Sequence, residues 1–485
     1  MKIFKTFIIA YCLCLSISIK TQASSSILED ECVVRVHPVG QGNCVTVEFQ
    51  DEVMIVDLGT TSIKNESIIR EALVREATLS LAAKKPKKKP SKPKSSIESP
   101  SELLAKLKES ESTKIPSKTF KEECIRDISE ILFKGPAASQ KIKTVLLTHG
   151  DIDHTNCLID LVRRHKYTIE NLVLGGMPEE YALDEEWLNY QLNCKGFKLY
   201  IPALSFGALD LNLWEEVLSL SKQLQAENKL APQAYSFPIS HLQTPSPQDN
   251  LGHSFEELEA AFSFRQAFKI YLLSVNPTHF SGAPLTLESS QTSTFRITDD
   301  PNTDSLVLKI VNIPTGFSIM LTGDATGQTN KRIYDNYRRF LHTKTLKNFL
   351  KTDVYLAAHH GSATHESNHP EWIHTIVRPR IVFISNGRSQ GHPYKQAYTT
   401  FRNSPRIIKD TPRHNVDYAL KEQEKANYKT KETNKAIFST LNSGLLTARF
   451  HTERGILVTA GNSIEGSPLE FTITPRAASK GDEIG

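Results

Sequence analysis

The chain has 485 residues, more than one ordinary domain holds unless that domain carries insertions. With 39% hydrophobic and 23% charged residues it has the composition of a globular protein with a real core, which excludes a largely disordered chain. The formal charge of +4 misleads: without Lys2, Lys5 and Lys20 it is +1, and without the seven lysines between Lys84 and Lys94 it is −6. The folded body is therefore expected to be mildly acidic, and a basic footprint for a polyanion is expected only in that lysine-rich segment.

The first residues, MKIFKTFIIAYCLCLSISIKTQASS, set Lys2 and Lys5 before an apolar stretch from Phe7 to Ile19, with small residues around Ala23. This is the layout of a secretory signal, and the apolar core is short for a membrane span of about 20 residues. We expect residues 1–23 to be removed and the mature protein to be exported, periplasmic or secreted. Cleavage leaves Cys32, Cys44, Cys124, Cys157 and Cys194. Their number is odd and they include no C-x-x-C pair, so neither a zinc ribbon nor a dense disulfide framework is expected. Residues 31–485 read as one domain. Within it, residues 84–117 are rich in Lys, Pro and Ser and are expected to form a disordered, solvated spacer.

One device then repeats. VMIVDLGT carries Asp57, KTVLLTHGD runs into His149, FSIMLTGD reaches Asp324, DVYLAAHHGS reaches His359 and His360, and RIVFISNG is followed by GHP with His392. Each predicts a buried strand that ends in polar, ligand-type residues beside glycine. In α/β proteins such strand ends converge on a ligand. Helical patterns lie between them: TNCLIDLVRRH, DEEWLNYQL, LWEEVLSLSKQLQ, SFEELEAAFSFRQAF and KRIYDNYRRFLHTKTLKNFL. The fold class is accordingly α/β. The C-terminal AIFSTLNSGLLTARFHTERGILVTAG predicts a hairpin or short meander.

LLTHGDIDHTN concentrates His149, Asp151, Asp153 and His154 in six positions. Imidazole suits zinc, and carboxylates accept harder ions such as manganese. A turn holding two of each reaches two metals if Asp324 bridges them and His359, His360 or His392 completes the set. Two such ions acidify a shared water and clamp the oxygens of a displaced bond. An aspartate merely capping the next helix is the plainer alternative, but four such residues in one turn favour ligation. Asp57 is expected to order the ligands through hydrogen bonds rather than to bind metal. Ser362 invites a serine-nucleophile reading, but no G-x-S-x-G elbow supports it.

Seven stretches, HPVGQGNCVTVEF, VDLGT, THGDIDH, NTDSLVLKI, LTGDA, HHGSATH and GHPY, occur in this order. Together they resemble the metallo-β-lactamase superfamily, and more narrowly the hydrolase domain of DNA-competence proteins of the ComEC/Rec2 type, without the membrane channel. The resemblance implies a metallo-β-lactamase-like αββα sandwich with two insertions and two divalent ions, zinc or manganese. It implies His149 and Asp151 on one ion, Asp153 and His154 on the other, Asp324 as bridge, and Asp153, His359 and His360 as catalytic residues. It also implies hydrolysis of a phosphodiester, nucleic acid being the first candidate, with no stable membrane insertion. Asp151 stands where most of the superfamily has histidine, which favours manganese, and Asn43 stands where acidic residues are common. His165, His241, His253 and His279 lie between the motif turn and Asp324, none in a setting diagnostic of the superfamily's additional histidine. The long spacing from His154 to Asp324 implies a largely helical insertion over residues 180–290. Hydrolysis of a small molecule (a β-lactam, lactone or phosphoester) and a non-catalytic binding protein on the same fold are the alternatives.

Overall fold

A computed structural model of the chain describes residues 31–49, 52–60, 117–134, 141–165, 167–175, 301–337, 348–387, 390–420, 428–451, 455–462 and 468–474, with shorter pieces between 181 and 277. The expected signal segment, the lysine-rich spacer up to residue 116, most of 180–290 and Cys194 lie outside the described residues.

The chain opens with an antiparallel meander of β1 (Glu31–Val36), β2 (Cys44–Phe49) and β3 (Glu52–Leu58). Helix α1 (Ser117–Lys134) leads to β4 (Lys141–Leu147), which lies parallel to β3. A short α2 (Ile152–Thr155) and α3 (Leu158–His165) lead to β5 (Thr168–Leu174), and β6 (Lys198–Tyr200) extends the parallel run. Strands β7 (Ala203–Leu204) and β9 (Asn276–Pro277) pair with each other on either side, in sequence, of β8 (Phe268–Ser274). Then come β10 (Val307–Asn312), β11 (Ser318–Leu321), α4 (Gly327–Tyr337), β12 (Val354–Leu356), β13 (Ile381–Ile384), α5 (Lys395–Arg402) and the hairpin β14 (His414–Ala419) and β15 (Tyr428–Thr433). The described chain finishes with β16 (Ile437–Ser439), α6 (Thr440–Ser443), β17 (Leu446–His451), β18 (Gly455–Asn462) and β19 (Pro468–Ile473).

These strands form a nine-stranded sheet, β19-β18-β17-β1-β2-β3-β4-β5-β6, and a six-stranded sheet, β16-β13-β12-β11-β10-β8. Alternation of side chains along each strand decides what packs where. Val34, Val47, Phe49, Met54 and Val56 of the first sheet meet Leu308, Ile319, Leu321, Phe383 and Phe438 of the second in one core. The opposite face of the first sheet, with Ile55, Val145 and Leu172, is covered by Ile125 and Ile128 of α1 and Leu158 and Leu161 of α3. The opposite face of the second, with Met320, Tyr355 and Val382, is covered by Ile333 of α4, Phe401 of α5 and Trp372. Mixed α/β sheets with helices on their faces fit the expected class.

Within the range expected to hold a largely helical insertion, 180–290, residues 268–274 form β8, which pairs antiparallel with β10. Leu272 of β8 is buried in the core between the sheets, and the alternation in FKIYLLS is the signal that the neighbouring helical pattern obscured. Among the described residues no helix is long and apolar enough to cross a membrane, and Cys32, Cys44, Cys124 and Cys157 are buried free thiols.

Candidate metal centre

Five of the strands anticipated from sequence, β3, β4, β11, β12 and β13, carry Asp57, His149, Asp324, the His359–His360 pair and the His392 loop at or just beyond their ends. The turn after β4 is pressed against the end of β3 and the loop before β2. A Cβ on Gly59 would stand 2.5 Å from the backbone nitrogen of His154, so only glycine admits that approach. Asn43 N donates to the Asp153 carbonyl at 3.0 Å, which ties the same loop to the ligand turn.

Asp57 organises this side. It is fully buried with φ of 56°, a left-handed conformation that aspartate tolerates better than most residues. Its carboxylate accepts from Thr148 N (2.7 Å), Thr148 Oγ1 (2.8 Å), His154 Nδ1 (2.8 Å) and Asn43 Nδ2 (2.9 Å). Because a carboxylate only accepts, His154 carries its proton on Nδ1. Thr148 spends its one hydroxyl proton on Asp57, so at 3.0 Å it accepts from His149 Nδ1. On the second sheet His360 Nδ1 donates to the Ser385 carbonyl at 2.7 Å. Three buried imidazoles thus have Nδ1 committed, and their Nε2 atoms are buried without a hydrogen-bond partner.

Those Nε2 atoms turn towards carboxylates. His154 Nε2 lies 3.2 Å from Asp324 Oδ1, without the geometry of a hydrogen bond, and His360 Nε2 lies 3.5 Å from Asp153 and 3.6 Å from Asp324. Two ligand groups result: His149, His154 and Asp324, and Asp153, His154 and His360. Burial opposes a charge on His154, but Asp324 and Asp57 outweigh it and raise its pKa well above the usual. Burial likewise opposes ionisation of Asp324, yet His360, His154 and His359 hold it well below the carboxylate range. Asp153 is brought to about 2, burial being more than offset by His360 and His154. The cluster therefore calls for positive charge at the point where three imidazole nitrogens lack a partner, and a divalent cation satisfies both demands. The residues present fit such an ion.

The remaining predicted residues are placed as follows. Asp151 has a side chain 41% exposed, sits 3.5 Å from His149 Nε2 and lies outside both groups. His359 adjoins Asp324 at 3.6 Å but is also outside them, and its Nδ1 is buried without a partner. His392 is stacked into this corner, its ring 5.7 Å from His359 and 6.3 Å from His360. Burial first, then His359 and His360, lowers its pKa to about 3, so its ring is neutral. Ser362 is buried with its Oγ 2.6 Å from Thr364 Oγ1, a structural contact. His165 ends α3, while His241, His253 and His279 lie outside the described residues.

Sequence reasoning missed four supports. Thr148 fixes His149, Ser385 fixes His360, and Asn43 joins Asp57 to Asp153. Ser305 Oγ lies 3.4 Å from His149 Nδ1 and accepts from Asp324 N at 3.2 Å, linking the two sheets. Thr148, Ser305, Asn43 and Ser385 all stood inside stretches already singled out, THGDIDH, NTDSLVLKI, HPVGQGNCVTVEF and RIVFISNG, and only Thr148 adjoins a ligand in sequence.

No protein-family model matches the chain, and no curated protein matches it. Among solved structures, the metallo-β-lactamase fold protein YhfI from Bacillus subtilis is similar to it, with 9% sequence identity and a TM-score of 0.28, the match covering 77% of this chain and 93% of that one. A likeness that distant carries no argument, so the chemistry rests on the residues of this site.

Proposed function

We propose that the chain is an exported metallo-β-lactamase-fold hydrolase, an αββα sandwich, that cleaves phosphodiester bonds with two divalent ions. One observation carries the metal reading: three buried imidazoles with committed Nδ1 atoms direct unpartnered Nε2 atoms at carboxylates, His154 at Asp324, His360 at Asp153 and Asp324, and His149 at Asp151. His149 and His154 would hold one ion and Asp153 and His360 the other, with Asp324 between them, because its Oδ1 faces both His154 and His360. His154 would ligate through Nε2 alone, since Asp57 occupies its second nitrogen. Asp151 would add a ligand from the exposed edge, and as a carboxylate it favours manganese over zinc.

Bound ions would acidify a water and neutralise charge developing on a phosphoryl oxygen. The chain's own residues do the rest. Asp57 and Thr148 hold the two histidines of the first sheet in the tautomer that presents Nε2, and Ser385 does so for His360. His359, on the more open side of Asp324, is placed to donate to a non-bridging oxygen, and His392 packs behind it. Phosphodiester hydrolysis is favoured by the ordered motifs described above.

The test is reconstitution of the stripped protein with manganese or zinc, followed by a panel of a phosphodiester, a phosphomonoester, a β-lactam and a lactone. Metal-dependent turnover of the phosphodiester alone is expected. Turnover confined to the lactam or lactone would overturn the substrate class, and none with any metal would overturn the enzyme reading. N-terminal sequencing of the protein recovered outside the cytoplasm tests export; a chain still beginning at Met1 would contradict it.

A further inference from the structure

Charge is unevenly spread over the molecule. The described residues between 395 and 435 include eight lysines and arginines against three acids, the exposed Asp410 and Glu432 and the buried Asp417, whereas the sequence outside the lysine-rich segment is acidic as a whole. Arg406 is paired with Asp353 and Arg413 with Glu432, both at 3.2 Å, and Asp417 is buried against Thr430. Among the described residues, the exposed Lys395, Lys409, Lys429 and Lys431 have no carboxylate at ion-pair distance.

These cations lie along a path that starts at the candidate centre. Tyr428 Oη, at the head of β15, donates to the carbonyls of Gly387 and His392, both at 3.3 Å. Ala419 N, at the end of β14, donates to the Pro393 carbonyl at 2.9 Å. From Tyr428 the chain runs outward past Lys429 and Lys431 to Lys435, roughly 25 Å at the rise of an extended strand. There Lys435 Nζ donates to the Arg402 carbonyl at 2.6 Å. Burial, and then the charges of Arg402 and Lys409, lower the Lys435 ammonium below its usual range. Lysines on an edge strand discourage pairing with other sheets, which accounts for Lys429 and Lys431. It does not account for Lys395, Arg402, Lys409 and Lys435, which lie off the strand. Like charges crowded together are destabilising, and a row of phosphates removes that cost.

We infer that the β14–β15 hairpin, with the end of α5 and the loop after it, is a docking strip for the phosphates flanking the scissile bond of a single-stranded nucleic acid. The inference rests on the phosphodiester reading of the site. Cations that follow one path away from the site, from Lys429 and Lys431 to Lys435 with Arg402 and Lys409 beside it, match a single backbone better than a plane of lipid headgroups. The exposed large hydrophobic residues among those described, Ile152, Ile313 and Tyr334, all lie off the strip, so nothing on it inserts into a bilayer. Sequence charge alone points to Lys84–Lys94, because the strip's cations are scattered over a helix, a loop and a strand.

The test compares the wild type with the Lys409→Gln/Lys429→Gln/Lys431→Gln variant. Binding of a phosphorothioate strand of about 20 nucleotides, which resists cleavage, is measured by fluorescence anisotropy between roughly 50 and 200 mM salt. The slope of log K against log salt is expected to fall by about 2, at ~0.7 per cation on a single strand, with at least about tenfold weaker binding at low salt. Turnover of a phosphodiester with one linkage should not change. An unchanged slope would overturn the strip, as would loss of the entire slope on deleting residues 84–94. Loss of binding to phosphatidylserine vesicles with strand binding intact would also overturn it, marking a membrane surface instead. If no phosphodiester is cleaved by the wild type yet the slope still falls in the variant, the strip stands and the catalytic reading fails.

Discussion

The two sheets bring unlike rims to the candidate centre. On the first, His149 and His154 have ordinary backbone angles, and hydrogen bonds that lead to Asp57 set their orientation. On the second, His359, His360, His365 and Glu366 all have φ between 50° and 56°, and the Nδ1 atoms of His359 and His392 are buried without partners. Left-handed backbone at four non-glycine residues within eight positions costs of order 1–3 kcal/mol each and persists only where the surroundings impose it. Hydrogen bonds around Asp57, the one left-handed non-glycine residue described on the first rim, thus set the ligand geometry there, whereas the second rim combines a run of left-handed backbone with the single bond from His360 Nδ1 to the Ser385 carbonyl. On the proposed reading, metal retention falls to the first rim and contact with the substrate to the second, His360 excepted.

Breaking the first rim is expected to have the largest effect. Asp57→Ala leaves four donors without their acceptor, so a loss of about 3–5 kcal/mol is expected in denaturant unfolding, together with loss of bound metal. Asp57→Asn, which keeps the shape, should cost less stability. A variant as stable as wild type would show that Asp57 holds nothing together. The second rim divides next: His360→Ala should lose one ion, while His359→Ala should keep both and lower kcat by about 10²–10³. Equal metal content in these two variants would erase the distinction between them.

A buried charge away from both rims separates stability from site effects. Lys309 on β10 is almost wholly buried, its Nζ donating to the carbonyls of Phe349 and Lys351, and burial lowers its pKa from 10.5 to about 7. The folded value lies below the unfolded one, so between pH 7 and about 10 the unfolded chain binds more protons and stability rises with pH. Lys309→Met should abolish that rise, ~1–3 kcal/mol in unfolding experiments, and leave metal content unchanged. A persisting rise would place its origin elsewhere. The smallest effect is expected from His392→Ala, about tenfold in KM with metal retained, because that ring packs behind His359 outside both ligand groups.

Much of this was legible in the sequence because it is local. Apolar runs ending in Asp57, His149, Asp324 and His360 mark buried strands, and four ligand-type residues in one turn mark a centre. Strand β8 was not legible, since FKIYLLS follows a strong helical pattern and only its pairing with β10 settles its state. The resemblance implied Asp324 as a shared ligand and His149 beside Asp151; the described geometry sets His149 Nε2 3.5 Å from Asp151 and also groups His149 with His154 and Asp324, 175 positions away. The support from Ser305 depends on how the two sheets meet, and that from Ser385 on β13 lying beside β12; no periodicity encodes either.

The most direct test of a dinuclear centre is metal content, by elemental analysis of the purified protein beside an Asp153→Ala/His154→Ala variant. Near two equivalents of manganese or zinc in the wild type, lost in the variant, is the expected result. No metal in either protein after reconstitution would contradict the centre and leave the partnerless imidazoles as features of a scaffold that binds no ion.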